Sequence, residues 1–298
     1  MSEPLGRPPL WIYGALLLLG TMWGGSFSLA KIAVSTGGHP FGVAMWQGFG
    51  GGFVLLVVGL LRGRPPPLSV RYALFYLVTG GAGIALPSAA FYAAAPHLPA
   101  GILSMLVTTV PMMTYAMALS LSMEQITASR LIGLTLGLAG VWLILGPDAN
   151  LPGEDGLFWA LVALVAPICY AVNNIIGTRF RPVDADSLAL AAGMLLSSGL
   201  LLGGAALATG NTYSVLPPWD VTHLAIALLI LIATLAHFLF FVILNRAGPV
   251  FFSQVAYVVT VAGVLWGMLL FGETHGAWIW LSLVLLLGGV ALVNPRKA

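Results

Sequence analysis

The sequence predicts an all-α membrane protein with ten transmembrane helices, built as two inverted five-helix repeats with both termini in the cytoplasm. Three observations predict this fold. Of the 298 residues, 59% are hydrophobic and only 7% are charged, whereas soluble domains carry about 25% charged residues. Apolar stretches of about 20 residues, the length of a bilayer span, recur along the chain. Positive charges fall almost entirely on alternate connections between these stretches.

Helices are favoured over the strands of a β-barrel in each stretch. Barrel strands alternate apolar and polar residues over about ten positions, but runs such as Trp280 to Val293 are apolar on every side. Arg7 and the run Leu10 to Leu19 could also form a signal peptide, but the apolar run continues past Trp23, which favours a span. The predicted spans are 10–33, 41–61, 72–95, 98–122, 128–146, 156–178, 187–209, 222–244, 248–271 and 276–294.

Positive charge in the short loops predicts the orientation, because cytoplasmic loops of membrane proteins are enriched in Lys and Arg. With the N-terminus inside, Lys31 alone of the 11 Lys and Arg residues falls on the opposite side. A wrong span count would invert every later loop and remove this asymmetry. The charges predicted to be cytoplasmic are Arg7, Arg62, Arg64, Arg71, Arg130, Arg179, Arg181, Arg246, Arg296 and Lys297.

The two halves of the chain resemble each other at a nearly constant offset. Glu124 and Glu273 lie 149 positions apart, and each precedes a short turn and a helix. Ser104 falls on Ser253 at the same offset. Because each half holds an odd number of spans, the second half must start on the other side of the membrane. We predict repeats at residues 1–148 and 149–298, an arrangement typical of secondary transporters.

The motifs also resemble those of a known family. The segment Trp23-Gly24-Gly25-Ser26-Phe27, Pro111 in the fourth span and Glu124 before the fifth are similar in order and spacing to the drug/metabolite transporter superfamily, EamA type. The resemblance covers nearly the whole chain in two copies and is closest to the bacterial aromatic amino acid exporters. It implies a carrier with a central cavity. Gln47 departs from the family pattern, in which an arginine is expected near the start of the second helix.

The sequence lacks the motifs of several other functions. It has no Gly-rich loop ending in Gly-Lys-Ser/Thr for the phosphates of ATP, no Gly-x-Ser-x-Gly hydrolase motif, and no His and Glu at metal-ligand spacing. A net charge of +2 is too small for a nucleic-acid-binding protein of this size. The single Cys169 excludes an internal disulfide. We therefore predict a protein that is not an enzyme and has no catalytic residue, metal, cofactor or nucleic acid partner.

Ionisable residues are placed mainly at the ends of spans. Proton-coupled carriers usually keep a carboxylate inside the membrane, but all nine acids here lie at span ends or in loops. Facilitative transport is therefore favoured. His237, inside the eighth span, could form a helix–helix hydrogen bond or contact substrate or a proton. Glu124 and Glu273 each precede a helix, and we expect their negative charges to interact favourably with the dipole at the N-terminus of that helix. Lys31 and Arg179 are expected to extend to the membrane interface.

Neutral polar side chains line single faces of several spans. Ser104, Thr108 and Tyr115 follow at helical spacing in the fourth span. Such hydroxyls can also bond their own helix or a neighbour, but the amides of Asn173 and Asn174 must face protein or water. We predict a cavity between the first, third, fourth, sixth, eighth and ninth spans. Its candidate substrate-binding residues are Trp23, Ser26, Phe27, Tyr92, Ser104, Thr108, Tyr170, Asn173, Asn174, His237, Phe241, Gln254 and Tyr257.

Prolines and glycines inside the spans suggest where helices bend and pack. Pro87 and Pro111 each remove a backbone hydrogen bond, so we predict hinges for alternating access there, although proline in membrane helices also serves packing. The glycines of the fifth and tenth spans predict close helix contacts. These are Gly133, Gly137, Gly140, Gly288 and Gly289.

An aromatic cavity with amide and hydroxyl donors suits a small molecule with an apolar body and a polar head. A zwitterionic amino acid needs no buried counter-ion, whereas a phosphate would require inward Lys or Arg. We predict an exporter of amino acids, aromatic ones by the resemblance, in the bacterial cytoplasmic (inner) membrane. Its partners are a small-molecule substrate and the lipid bilayer, with no oligomeric state specified. The alternatives are export of cationic drugs, through cation–π contacts, or of other metabolites, and a channel or structural membrane subunit.

Overall fold

The computed structural model describes residues 9–146, 151, 153–182 and 186–293. Within these residues the chain is α-helical and contains no strand. Eight helices are long and apolar enough to cross a membrane, and α9 and α10 are shorter apolar helices of 17 residues each. The helices are α1 Leu10–Ser35, α2 Pro40–Leu61, α3 Val70–Ala94, α4 Ala100–Ser120, α5 Ala128–Leu145, α6 Gly156–Arg179, α7 Ser187–Ala208, α8 Val221–Phe252, α9 Val255–Phe271 and α10 Ala277–Val293.

One predicted boundary is wrong. The sequence suggested a break at residues 245–247, but α8 continues through Arg246 to Phe252, and the break follows at Ser253 and Gln254. The helix also continues through Gly248 and Pro249, so this proline, like Pro167 in α6, is accommodated inside a helix. A helix of 32 residues is about 48 Å long at a rise of about 1.5 Å per residue. It therefore exceeds the hydrocarbon thickness of about 30 Å.

Two helices are interrupted near the middle of their length. α3 contains a π-helical turn at Gly81–Ala85, directly before Pro87. α4 is broken at Thr108 and Thr109, directly before Pro111. Pro111 cannot donate a hydrogen bond to the preceding turn, so the interruption falls where the ladder is already incomplete. By contrast, α6 remains one continuous helix with Pro167 inside it.

The helix contacts follow a two-fold pattern. α2 packs on α7, α5 on α10 and α4 on α9. α1 packs on α8 and α9, and α6 packs correspondingly on α3 and α4. Advancing each helix number by five, with α6 to α10 returning to α1 to α5, maps the first three pairs onto themselves and exchanges the α1 pairs with the α6 pairs. The packing therefore relates the first five helices to the last five.

Glycines bring several of these helix pairs into backbone contact. A Cβ atom at Gly133 would lie 2.7 Å from the carbonyl oxygen of Gly289, and one at Gly24 would lie 2.7 Å from the amide nitrogen of Gly263. Side chains cannot fit at such distances. The predicted close packing is confirmed for Gly133, whereas a Cβ atom at Gly288 would make only an ordinary contact, 3.9 Å from Leu136.

The charged residues divide the molecule into two ends. The arginine end contains the Arg64–Asp186 ion pair, which joins the end of α2 to the start of α7 at 3.0 Å. Arg246 lies over the Trp11 ring at the same end, with its guanidinium carbon 5.9 Å from the ring centroid. The lysine end contains the Lys31–Glu273 ion pair. The positive-inside rule predicts that the arginine end is cytoplasmic.

A central cavity open at the arginine end

A cavity of about 680 Å³ lies between the two halves of the chain. This volume is typical of a small-molecule site. All six helices predicted to surround it contribute, and α2, α5, α7 and α10 add residues at its edges. The predicted site residues that line it are Trp23, Ser26, Phe27, Tyr92, Thr108, Tyr170, Asn174 and His237, together with the predicted hinge Pro111.

The structure places five other predicted residues outside the cavity lining. Ser104 is fully buried against α9, where its hydroxyl donates to the carbonyl oxygen of Thr260 at 3.3 Å. The Asn173 amide packs on Gly83, and its Oδ1 has no hydrogen-bond partner among the described residues. Gln254 is exposed at the break between α8 and α9. Tyr257 is half-buried and packs against the cluster around Met112 and Val290. Pro87 is buried within α3.

Phe241, another predicted site residue, belongs to α8. Its side chain lies outside the described part of the structure. Its neighbour Phe240 lines the cavity.

Sequence reasoning missed several lining residues. Gln47 accepts a hydrogen bond from the Tyr92 hydroxyl, at the position where the family pattern led us to expect an arginine. Thr114 follows Pro111 by three positions on the same helix face, a spacing that could have revealed it. Glu124 and Arg130 line the cavity beside the arginine end. Their charges suggested interface roles, and no spacing pattern indicated that they line the cavity.

Aromatic rings form a continuous wall of the cavity. Phe27 contacts Phe91 edge to face, with ring centroids 5.5 Å apart, and Phe91 in turn lies 6.5 Å from Tyr170. Trp23 contacts Phe252 edge to face at 6.3 Å. Aromatic pairs favour such edge-to-face and offset arrangements, so these rings give the cavity an apolar wall.

Neutral polar groups complete the lining. The hydroxyls of Thr108 and Thr260 are hydrogen-bonded at 2.5 Å and link α4 to α9. Asn174 donates to the hydroxyl of Thr114 at 3.2 Å. His237 donates from Nδ1 to the carbonyl oxygen of Ala233, 2.6 Å away in its own helix. Its Nε2 is then the nitrogen that can accept a hydrogen bond.

The cavity reaches the surface at the arginine end. Among the described lining residues, Glu124 and Arg130 are the charged ones. They form an ion pair at 2.5 Å, and the Glu124 side chain is 44% exposed. The Arg130 guanidinium also lies over the Tyr115 ring, 5.2 Å from its centroid. Charged groups therefore stand at the mouth, and neutral groups occupy the interior.

The lysine end is closed by packed helices. Leu98, Ala100 and Ile102, at the start of α4, are almost completely buried. Glu273, in the loop between α9 and α10, accepts hydrogen bonds from the backbone N–H groups of Ala100 at 2.6 Å and Gly101 at 3.1 Å. Glu273 therefore does cap a helix N-terminus, as expected, but it caps α4 and not the helix that follows it.

Lys31 and His275 complete this closed end. The Lys31 ammonium lies 3.4 Å from the Glu273 carboxylate and donates to the carbonyl oxygen of Leu98 at 2.8 Å. Contrary to expectation, Lys31 is therefore bound inside the protein. His275 Nε2 lies 3.8 Å from Glu273. Burial lowers the pKa of His275 below its ordinary value, although the Glu273 carboxylate opposes this shift.

No group of three His, Cys, Asp or Glu side chains could hold a metal ion among the residues that the structure describes. The central cavity can instead enclose a small molecule. Together, the ten apolar helices, the two-fold packing and the cavity open at one end define a polytopic membrane protein built like a carrier.

Comparison with known proteins identifies the family. The model of the EamA-like transporter family matches the chain twice, at residues 10–146 and 157–294. The chain belongs to the EamA-like transporter family. It is 28% identical over 296 residues to a protein described as the uncharacterized inner membrane transporter YedA of Escherichia coli K12, covering 98% of this chain and 93% of the relative. The matches in strains O6:H1 and O157:H7 have the same identity and coverage.

A solved structure shares the fold. A crystal structure described only as that of a protein superposes with a TM-score of 0.64, covering 93% of this chain and 95% of the other. The two sequences are 18% identical, so the likeness concerns the fold alone.

Proposed function

We propose that this transporter exports neutral amino acids, with aromatic ones preferred, across the bacterial inner membrane by alternating access. The observation that carries the proposal is the composition of the cavity. Its interior is lined by aromatic rings and by neutral hydroxyl, amide and imidazole groups, and its charged pair stands at the mouth. An amino acid can place its side chain on the rings and its polar head among the neutral groups without a buried counter-ion.

The open end supports the direction. Positive charge predicts that the arginine end faces the cytoplasm, so the cavity is open to the compartment from which an exporter loads. The inner-membrane location is supported by the printed description of the Escherichia coli relatives. The interruptions beside Pro87 and Pro111 lie where α3 and α4 could bend to expose the opposite side.

Alternating access is further supported by the repeat. Inverted repeats let one conformation be converted into its opposite when the two halves exchange shapes. The two-fold helix packing and the two matches of the family model fit repeats at residues 1–148 and 149–298.

The test is uptake of labelled substrates by proteoliposomes. Labelled phenylalanine, tryptophan, threonine and methionine are offered with and without an imposed pH gradient. Saturable uptake that is fastest for the aromatic amino acids and unaffected by the gradient is expected. Gradient-driven uptake would contradict the facilitative mechanism and would indicate His237, which lines the cavity, as the coupling group.

Cationic compounds are a second candidate class, favoured by the aromatic wall and by Glu124 at the mouth. The same proteoliposomes are therefore offered a labelled quaternary ammonium compound. Uptake of this cation without uptake of any amino acid would replace the proposed substrate class and leave the carrier mechanism in place.

A further inference from the structure

We infer that Glu273 is the outer gate of this carrier, and that its bonds to the N-terminus of α4 and to Lys31 hold the lysine end closed. The inference rests on the proposed alternating access. It identifies Glu273 as the group whose bonds must break before substrate can leave on the lysine side.

The carboxylate joins three parts of the protein. Oε1 accepts from the backbone N–H of Ala100 on α4 and also contacts the ammonium group of Lys31 on α1. Oε2 accepts from the backbone N–H of Gly101 on α4. Glu273 itself lies in the loop after α9, and its side chain is only 8% exposed. Hydrogen bonds to a charged group shielded from water are stronger than neutral ones, so this contact resists the separation of α1, α4 and α9.

The local backbone positions the Glu273 carboxylate against the start of α4. Gly272 ends α9 in the left-handed conformation, with φ of 63°, which a glycine adopts without strain. A Cβ atom at Gly267 would lie 2.3 Å from Oε2 of Glu273. The side chain is therefore accommodated where α9 has no side chain of its own, directly against the start of α4.

The corresponding acid at the open end is engaged differently. Glu124 lies 149 positions before Glu273, and it is 44% exposed and paired with Arg130 on the next helix. The acid is thus buried against another helix where the cavity is closed, and it stands at the surface where the cavity is open. This difference links the carboxylate contact to the conformational state, whereas a purely structural cap has no such link.

The test measures access to the cavity from each side. Val107, which lines the cavity, is replaced by cysteine in a Cys169→Ala background. Membrane vesicles of both orientations are treated with a membrane-impermeant quaternary ammonium methanethiosulfonate. Glu273→Gln should increase the labelling rate from the lysine side by about tenfold, the shift expected from losing one hydrogen bond to a charged group. Labelling from the arginine side should fall.

Asp220→Asn is the matched control, because Asp220 is an acid of the lysine end that contacts His223 and is 56% exposed. It should leave both labelling rates unchanged. If Glu273→Gln fails to fold, as judged by gel filtration, Lys31→Gln serves in its place, with a smaller increase expected because the α4 hydrogen bonds remain. Unchanged labelling in the folded variants overturns the gate. The assay needs no substrate, so it gives its answer even if amino acid uptake fails.

Discussion

At the scale of single residues, the cavity is organised by charge. Charged groups stand at the mouth, at Glu124 and Arg130, while the interior contacts are neutral, such as Tyr92 to Gln47 and Asn174 to Thr114. Removing an isolated charge from water is expensive. A neutral interior therefore favours ligands without net charge, and the amides of Gln47 and Asn174 are directional polar groups that could contact such a ligand.

Two of the three amides predicted for the cavity, Asn174 and Gln254, should behave differently. Asn174 lines the cavity, whereas Gln254 is exposed outside it. Asn174→Ala should reduce kcat/KM for uptake by about 2- to 10-fold, because one hydrogen bond contributes about 0.5–1.5 kcal/mol. Gln254→Ala should transport like the wild type. Equal losses in both variants would contradict the placement of the cavity.

His275 makes the stability of the protein depend on pH. Its pKa is lowered by burial, while the Glu273 carboxylate opposes the shift. The ammonium group of Lys31 also faces this carboxylate, 3.4 Å from its Oε1. A group whose folded-state pKa is depressed adds stability above its unfolded pKa, about 6.5 for His, and loses it as the pH falls through the folded pKa. The melting temperature should therefore fall between about pH 7.5 and about pH 5.

The His275→Gln variant isolates this contribution. Glutamine does not titrate, so the variant should lose less melting temperature over the same pH interval than the wild type. Burial requires His275 to bind its proton more weakly in the folded state than in the unfolded state. Equal losses of melting temperature in the two proteins would contradict this.

Helical spacing indicated which residues share a face where a helix stays regular. Trp23, Ser26 and Phe27 were placed together on α1, and all three line the cavity. Spacing also placed Ser104 on the cavity face, but the structure buries it against Gly263, where a built Cβ would lie 2.3 Å from that of Ser104. Which helix packs against a given glycine is a property of the tertiary fold. A single sequence does not contain that information.

At the scale of helices, small residues determine how closely the repeats approach. A Cβ atom at Gly199 of α7 would lie 2.9 Å from the backbone nitrogen of Phe49 on α2, whereas one at Gly204 of the same helix meets nothing within 4 Å. Gly199→Ala should lower the free energy of unfolding by about 1–3 kcal/mol. Gly204→Ala should leave it unchanged or raise it by up to about 1 kcal/mol, since Ala favours a helix more than Gly.

Thermal or denaturant unfolding in detergent compares the two variants. They carry the same change in the same helix, so helix propensity cancels and the difference reports packing alone. A Gly199→Ala variant as stable as Gly204→Ala would contradict the backbone contact between α2 and α7.

The sequence predicted the helices better than their interruptions. Hydropathy located the apolar helices, because a span needs about 20 apolar residues whatever its neighbours are. The π-helical turn at Gly81–Ala85 and the extension of α8 to Phe252 were not predicted. Both depend on which backbone groups find partners in the packed protein, and hydropathy does not report those partners.

At the scale of the whole molecule, the charge asymmetry predicts the orientation. Leu68 lies in the loop at the arginine end and Leu216 in the loop before α8 at the lysine end, and both are exposed. Cysteines introduced at these positions in a Cys169→Ala background should differ in right-side-out vesicles. An impermeant thiol reagent should label the Leu216→Cys variant and spare the Leu68→Cys variant until the membrane is permeabilised. The opposite pattern would invert the topology.

We propose that one cavity alternates between the two sides of the membrane with a neutral amino acid inside it. A counterflow experiment distinguishes such a carrier from a channel. Proteoliposomes are loaded with excess unlabelled phenylalanine, and the entry of trace labelled phenylalanine is followed over time. A carrier exchanges substrate, so the label should accumulate transiently above its outside concentration, and Asn174→Ala should reduce this overshoot. Entry that only rises to equilibrium, without an overshoot in the wild type, would indicate a channel and contradict the account.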